Sequence, residues 1–164
     1  MKGVAIFPGA FDPMTVGHVS VIERACAIFD KVIIAISHSR SKGIMFNLGD
    51  RVEIVHRSID GMKRRKHGVN IDVMTFDGTL VEFACKNGVF NVIRGVRCAE
   101  DFSREYNMYN INRLLEERIN TVFIPAKAGE ACISSSAVRE LLRYRCDVSA
   151  MVMEGVAEFI RNSF

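Results

Sequence analysis

The residues best suited to chemistry follow a short apolar run at the N-terminus. Segment 7–18 reads Phe-Pro-Gly-Ala-Phe-Asp-Pro-Met-Thr-Val-Gly-His, and its glycines and prolines predict a turn that leads directly into a helix. Unpaired amides and the positive dipole end of such a helix attract phosphate. Gly17 lets a ligand approach the backbone, and His18 lies in the first helical turn. An isolated Gly-His pair is compatible with a surface histidine, but in this context we predict a phosphate site facing the imidazole.

Two arginines form a second candidate site in segment 93–97, which reads Ile-Arg-Gly-Val-Arg. Arg94 and Arg97 can make paired, charge-assisted hydrogen bonds to phosphate, although solvated loop arginines are the alternative. Their place at the carboxyl end of a predicted strand favours ligand contact. Asp101 and Glu105 follow at helical spacing, either as acceptors for ribose and adenine groups or as an ordinary charged surface.

Three consecutive serines, Ser134 to Ser136, precede a predicted C-terminal helix. A plain N-cap needs one serine, so the run favours phosphate binding at a second helix start. Lys42 lies in a loop after the second predicted strand and is long enough to reach a phosphate, but mobile surface lysines often have no such role. The sequence therefore leaves Lys42 open.

Composition limits the possible classes of function. The chain has 164 residues, 49% of them hydrophobic and 25% charged, which predicts one domain, residues 1–164. A net charge of +3 suits phosphate-rich ligands without indicating a nucleic-acid coat. The basic run Lys63 to His67 has no interleaved aromatic residues, so we interpret it as a solvated helix end and predict no nucleic-acid partner.

The remaining sequence features predict a cytoplasmic protein without a metal cluster of its own. Five widely spaced cysteines contain no Cys-x-x-Cys pair, which indicates reduced thiols rather than disulfides or zinc. No apolar stretch approaches the ~20 residues of a membrane span, so we predict no membrane partner. The histidines lack metal-ligand spacing, and any bound metal is expected to arrive with a nucleotide.

Short β-branched runs alternate with stretches of helical period along the chain. This pattern predicts an α/β fold: a Rossmann-like, doubly wound, five-stranded parallel sheet with helices on both faces and two C-terminal helices. Ligands bind such sheets at the carboxyl ends of the strands. The predicted strands are Val4–Phe7, Val32–Ser37, Ile71–Phe76, Asn91–Ile93 and Thr121–Ile124. The predicted helices are Gly17–Phe29, Gly49–Met62, Thr79–Lys86, Asp101–Arg118, Ser134–Tyr144 and Met153–Arg161, the last of them expected to pack on the sheet.

Taken together, four motifs in this order resemble bacterial phosphopantetheine adenylyltransferase over nearly the whole chain. They are Pro-Gly-x-Phe-Asp-Pro-x-Thr-x-Gly-His, Ser-x-Ser-Lys, Ile-Arg-Gly-x-Arg with Asp-Phe shortly after, and Ile-Ser-Ser-Ser. The resemblance implies transfer of the adenylyl group of ATP to 4′-phosphopantetheine with Mg²⁺, giving dephospho-coenzyme A and pyrophosphate in coenzyme A biosynthesis. It also implies a cytoplasmic homohexamer, for which coenzyme A is a candidate further ligand.

The same resemblance assigns roles to individual residues. His18 is implied to stabilise the transferring α-phosphate and is the expected catalytic residue. Residues implied to bind phosphopantetheine are Ala10, Lys42, Leu80 and Arg94. Residues implied to bind ATP are Ala10, Phe11, His18, Gly95, Val96, Arg97, Glu105, Glu130, Ala131, Cys132, Ile133, Ser134, Ser135 and Ser136.

Some positions depart from the family pattern. Ala10 stands where serine or threonine is usual, which removes a hydroxyl, and Thr15 is a candidate to replace it. Residues 129–132 lack the family's usual aromatic residue, so adenine packing is expected to differ.

Three other functions compete with this reading. Nicotinate- or nicotinamide-mononucleotide adenylyltransferases share several of the motifs, but Ile-Arg-Gly-x-Arg-x-x-x-Asp-Phe argues against them. Glycerol-phosphate cytidylyltransferases carry a C-terminal Arg-Thr-x-Gly-x-Ser-Thr run that is missing here. The third alternative is a non-catalytic nucleotide sensor or nucleic-acid binder, against which the retained His18 and arginines argue.

Overall fold

A parallel β-sheet of five strands lies at the centre of the computed structural model, which describes residues 3–38, 43–65 and 68–163. The strands are β1 (Val4–Gly9), β2 (Lys31–Ser37), β3 (Ile71–Phe76), β4 (Asn91–Val96) and β5 (Asn120–Pro125). The helices are α1 (Val16–Ile28), α2 (Leu48–Arg65), α3 (Leu80–Asn87), α4 (Ala99–Leu115), α5 (Ser135–Arg143) and α6 (Glu154–Ser163). The predicted α/β, Rossmann-like class is confirmed.

The strand order is β3-β2-β1-β4-β5. From the central strand β1, strands β2 and β3 are added on one side, and β4 and β5 are added on the other. β1 pairs in parallel with β2 on one side and with β4 on the other. Loops that leave β1 and β4 therefore diverge and open a crevice at the carboxyl ends of the strands, where ligands bind in sheets of this kind. The segments after β1, β4 and β5 consequently converge at one edge.

Alternating side chains of the strands supply a core on each face of the sheet, as the period of two in a strand requires. Ala5 and Phe7 of β1 belong to a large cluster that includes residues of α1, α2, α5 and α6. Ile6 faces the other way, into a smaller cluster with Phe83 and Ala84 of α3. Helices thus cover both faces, and the buried sheet is a rigid support for the loops at its edge.

Several predicted boundaries were wrong in ways that concern the site. β4 extends to Val96, so Arg94 and Gly95 belong to the strand itself because both pair with β5. The predicted helix Asp101–Arg118 begins earlier and ends at Leu115, and residues 116–119 turn back toward β5.

The last helix was expected to pack on the sheet; α6 packs mainly on α2 and shares with it the apolar cluster on that face of the sheet. The Arg57 guanidinium of α2 lies 5.3 Å from the centre of the Phe159 ring of α6. A β-carbon at Gly61 would lie 2.9 Å from Met153 Cε, so a larger residue in α2 would displace the flexible end of this side chain, which lies just before α6.

No helix among the described residues is long and apolar enough to cross a membrane.

Candidate functional site

A cavity of about 490 Å³ opens at the carboxyl ends of the strands, between the loop after β1 and the end of β4. Predicted residues that line it are Ala10, Phe11, His18, Arg94, Gly95, Val96, Arg97, Glu105, Glu130, Ile133, Ser134, Ser135 and Ser136. These positions are spread over more than 120 residues of sequence. The crossover topology therefore brings the three predicted phosphate-binding segments together in one space.

His18 lies in the first turn of α1 with its ring held by the residue that precedes the helix. The backbone N–H of Thr15 donates to His18 Nδ1 over 3.1 Å, and Thr15 Oγ1 lies 2.9 Å from the same nitrogen. Because Nδ1 accepts a hydrogen bond, we assign the proton of the neutral ring to Nε2. The imidazole therefore offers an N–H donor from its other edge.

Burial, followed by the positive charge of Arg97, lowers the pKa of His18 to about 4. The free protein therefore holds a neutral imidazole at neutral pH, with one fixed donor. Thr15 is 1% exposed and its hydroxyl lies against His18. That contact disfavours Thr15 as a replacement for the hydroxyl missing at position 10.

Phe11 fixes the shape of the turn between β1 and α1. Its backbone has φ of +50°, a left-handed conformation that is uncommon for a bulky residue. Strained backbone of this kind is often found at functional sites. Its ring lies edge-on to His18, with ring centres 5.5 Å apart. A β-carbon at Gly9 would lie 3.0 Å from the Phe11 ring, so a larger residue would require the ring to shift by a few tenths of an ångström.

Arg94 and Arg97 are held at the cavity wall by carboxylates of α4. Arg94 Nε lies 2.9 Å from Glu105 Oε2, and Arg94 Nη1 donates to the Pro8 carbonyl over 3.2 Å. Arg97 makes a paired interaction with Asp101, with distances of 2.7 and 3.2 Å. Hydrogen bonds from Arg97 are the main reason that the pKa of Asp101 is lowered. In the free protein these two carboxylates therefore orient arginines, which was not one of the roles predicted for them.

The serine run caps α5 and joins it to the loop after β1. Ser134 Oγ accepts from the Ala137 N–H over 3.1 Å, which makes Ser134 the N-cap. Ser135 Oγ donates to the Pro13 carbonyl over 2.8 Å. Ser136 remains exposed, and its Oγ lies 3.0 Å from that of Ser134. Two helix starts, those of α1 and α5, therefore border the same cavity.

Sequence reasoning missed a polar network at the cavity wall, in which Asp12 and Arg139 line the cavity. Asp12 is 1% exposed, and its carboxylate accepts from the N–H groups of Met45 and Phe46 over 2.9 and 2.8 Å. Arg139 Nη1 donates to the Asp12 carbonyl over 2.7 Å and lies 3.5 Å from its Oδ2. The sequence contained a signal, since Asp12 stands between Phe11 and a proline within the first motif. Its buried partners could not be read from spacing.

Three predicted site residues are not among those that line this cavity, and their contacts with ligands stay predictions. Leu80 packs against the smaller apolar cluster at the start of α3 and is outside the cavity lining. Ala131 and Cys132 are exposed and do not line the cavity either. Lys42 lies outside the described residues, so its contribution stays a prediction.

The described part of the basic run, residues 63–65, lies at the end of a helix. Lys63, Arg64 and Arg65 form the exposed last turn of α2. Cations there interact favourably with the negative end of the helix dipole. Among residues 3–38, 43–65 and 68–163, no three His, Cys, Asp or Glu side chains lie together as metal ligands.

The depressed pKa of His18 predicts a pH-dependent stability. The unfolded chain protonates this imidazole near pH 6.5 and the folded chain near 4, so the unfolded state binds more protons between these values. The free energy of unfolding should therefore fall as the pH drops from 6.5 to 4, by about 2 kcal/mol after allowance for partial exposure. Above pH 6.5 His18 contributes no pH dependence.

Urea unfolding of the wild type and of His18→Asn at intervals across this range measures the effect. The difference in unfolding free energy between the two proteins should change between pH 6.5 and 4 and be constant above 6.5. A constant difference over the whole range would contradict the low pKa.

Comparisons with known proteins agree with this geometry. Residues 6–141 match the cytidylyltransferase-like family. Phosphopantetheine adenylyltransferase of Campylobacter curvus is 42% identical over 161 residues, which cover 98% of this chain and 99% of the relative. The enzyme of the same name from Nautilia profundicola is 40% identical over 148 residues, 90% of this chain and 92% of the relative.

Among solved structures, nicotinic acid mononucleotide adenylyltransferase of Plasmodium falciparum superposes with a TM-score of 0.74 at 15% identity. The match covers 99% of this chain and 96% of the other. At this identity the similarity concerns the fold.

Proposed function

Since this chain belongs to the cytidylyltransferase-like family and, within it, to the phosphopantetheine adenylyltransferases, we propose that it transfers the adenylyl group of ATP to 4′-phosphopantetheine. The products are dephospho-coenzyme A and pyrophosphate. The observation that carries the proposal is the neutral His18, which lies at the start of α1 in a cavity bordered by Arg97 and the start of α5.

The reaction needs no covalent nucleophile from the protein. A phosphate oxygen of phosphopantetheine attacks the α-phosphorus of ATP, a new P–O bond forms, and the bond to the bridging oxygen of the β-phosphate breaks. Pyrophosphate carries away the electron pair of that bond. Catalysis then consists of positioning and of stabilising charge on the α-phosphate oxygens.

His18 supplies a fixed hydrogen-bond donor for that charge. Its Nε2–H donates to an α-phosphate oxygen, while Thr15 prevents the ring from turning. Arg94 and Arg97 neutralise phosphate charge from the β4 side, and the amides at the start of α5 accept the triphosphate. Lys42 is proposed to contact the phosphates from the loop after β2.

Mg²⁺ is proposed to enter with ATP. Asp101 is paired with Arg97. Oε2 of Glu105 and Oε2 of Glu130 are both buried without a hydrogen-bond partner, but that of Glu105 lies 2.9 Å from Arg94 Nε. These residues fit a metal held mainly by phosphate oxygens and water, with Glu130 as the available protein oxygen. Bound there, Mg²⁺ would neutralise charge on the phosphates.

Release of pyrophosphate from Mg-ATP tests the proposal. Phosphopantetheine, nicotinamide mononucleotide and a blank without a second substrate are compared in parallel. We expect release only with phosphopantetheine. Release only with the mononucleotide would assign the sister activity, and RNA binding with a steep salt dependence but no pyrophosphate release would indicate a binding protein.

Ala10 gives a second test of the substrate assignment. Restoring a hydroxyl with Ala10→Thr should lower KM for phosphopantetheine about fivefold, the effect of one hydrogen bond of about 1 kcal/mol. Steady-state kinetics with each substrate varied in turn provides the measurement. An unchanged KM would mean that the substrate phosphate does not reach residue 10.

We further propose that the chain assembles as a homohexamer, as the resemblance implies. Large apolar side chains are exposed on more than one face of α4, and only Asp101 and Asn112 of that helix are buried. A helix that is apolar on several sides indicates burial against a partner. The exposed apolar residues of α4 are Phe102, Tyr106, Met108, Ile111, Leu114 and Leu115.

A charge on this face should break the assembly. Ile111→Glu is expected to give smaller species by sedimentation velocity, because an unpaired carboxylate would be buried at the interface. Ile28→Glu is the matched control: Ile28, the last residue of α1, is 45% exposed, close to the 47% of Ile111. Dissociation by Ile28→Glu alone would place the interface elsewhere.

The cytoplasm is the proposed location. Four exposed cysteines, Cys85, Cys98, Cys132 and Cys146, are free thiols, which suits a reducing compartment. Coenzyme A shares the pantetheine arm and the adenine nucleotide with the proposed substrate and product. It is therefore a proposed further ligand of the same cavity.

A further inference from the structure

The side chain of Arg51 is buried behind the cavity, although it belongs to the first turns of α2. It is 2% exposed and makes three hydrogen bonds, all to backbone carbonyls. Nη1 donates to Ala10 over 2.9 Å and to Ser37 over 2.8 Å, and Nε donates to Phe46 over 3.2 Å. One side chain thus joins the residue after β1, the last residue of β2 and the segment that leads into α2.

Asp12 completes the attachment of that segment. Its carboxylate binds the Phe46 N–H, while Arg51 binds the Phe46 carbonyl, so the backbone of Phe46 is held from both sides. Residues 43 and 44, just before it, line the cavity. Arg51 and Asp12 therefore tie this wall to Ala10 and to the end of β2.

Stability alone does not explain an arginine at this place. Removing a guanidinium from water costs several kcal/mol, and apolar residues that fill such a site are often equally or more stabilising. What the guanidinium adds is direction, because its planar fork fixes the angles between the carbonyls that it joins. The rate of phosphoryl transfer depends on such geometry, because a displacement of the bound groups by about 1 Å can lower it a hundredfold.

The contacts of Arg51 are confined to one part of the cavity. Arg51 binds carbonyls at the ends of β1 and β2, whereas Arg97 and Glu130 line the cavity from the segments after β4 and β5. We propose that Arg51 is a positioning residue for phosphopantetheine: it sets the distance between Ala10 and the wall at residues 43–46, where the substrate phosphate binds. This inference rests on the proposed function.

Arg51→Lys and Arg51→Met test it against Arg57→Met, a control in the same helix. Arg57 pairs with Glu53, its side chain is 39% exposed, and it is not among the residues that line the cavity. We expect both Arg51 variants to raise KM for phosphopantetheine about tenfold and KM for ATP less than threefold, with a lower kcat. Lysine keeps the charge near Asp12 but cannot bind three carbonyls. Arg51→Lys should therefore be more stable than Arg51→Met, although KM for phosphopantetheine is raised in both.

Circular dichroism and thermal unfolding, done first, show which variants are folded at the assay temperature. Folded Arg51 variants with both KM values unchanged, or raised equally, would overturn the inference. Where neither variant folds, Asp12→Asn loosens the same segment by weakening its bond to Met45, and the same asymmetry of KM is expected. Symmetrical KM values in that variant would equally overturn it.

Assay of the wild type distinguishes the proposed function from the positioning role of Arg51. Pyrophosphate release with phosphopantetheine supports the proposed function independently of Arg51. An inert wild type would remove the proposed function and this inference with it, whereas an active wild type with insensitive Arg51 variants would remove the inference alone.

Discussion

His18→Ala should lower kcat at least a hundredfold. The lost Nε2–H donor is one hydrogen bond to charge that develops on the transferring phosphate, and such a bond contributes on the order of 3 kcal/mol in a site shielded from water. Ground-state binding should change much less, because ATP keeps its contacts with the arginines and with the start of α5. Single-turnover kinetics and calorimetric titration of ATP measure the two effects separately.

The control for this experiment is a test of whether the turn around the His18 ring stays folded. Thr15 and Phe11 pack on His18, so an altered thermal unfolding curve would indicate a disturbed turn. His18→Asn keeps an acceptor for the Thr15 N–H and should also be slow, because its amide does not reach the position of Nε2. An equal loss of ATP affinity and of kcat would contradict a role confined to the transition state.

Asp12→Ala should lower the free energy of unfolding by about 3–5 kcal/mol, the range for breaking a buried charged pair. The substitution leaves the N–H groups of Met45 and Phe46 without acceptors, and the buried guanidinium of Arg51 loses its neighbouring charge. Arg139 also loses a carboxylate 3.5 Å away. Chemical denaturation at neutral pH provides the measurement.

Asp60→Ala is the matched control, because Asp60 is an exposed aspartate in the middle of α2. Its substitution should change stability by less than about 0.5 kcal/mol. A comparably small change for Asp12→Ala would mean that the network is not coupled, and the account of the segment at residues 43–46 would fail with it.

Much of the fold followed from local chemistry. Apolar β-branched runs alternate with helical periods, and this pattern requires a parallel sheet covered on both faces. Turn residues before Gly17 and the serine run before α5 predicted two helix starts with free amides. These features depend on neighbours within a few residues, so spacing sufficed to identify them.

Packing decides where the remaining predicted residues lie. Leu80 was predicted to contact the substrate, and it packs against the smaller apolar cluster at the start of α3. Ala131 and Cys132 were predicted to contact the nucleotide, and the turn at residues 127–133 leaves them exposed. The ligand contacts of these three residues stay predictions. The end of β4 was placed three residues early, because pairing with β5 carries the strand through Gly95.

The sequence by itself predicted the sheet, the three segments that meet at the cavity and the place of His18 at the start of α1, since each follows from residue type and short-range spacing. Only the tertiary structure decided the chemical state of these groups. The low pKa of His18 comes from burial and from Arg97, which is 79 residues away in sequence. The pairing of Arg94 with Glu105 and the burial of Arg51 likewise depend on distances that exist only after the strands have crossed and closed the cavity.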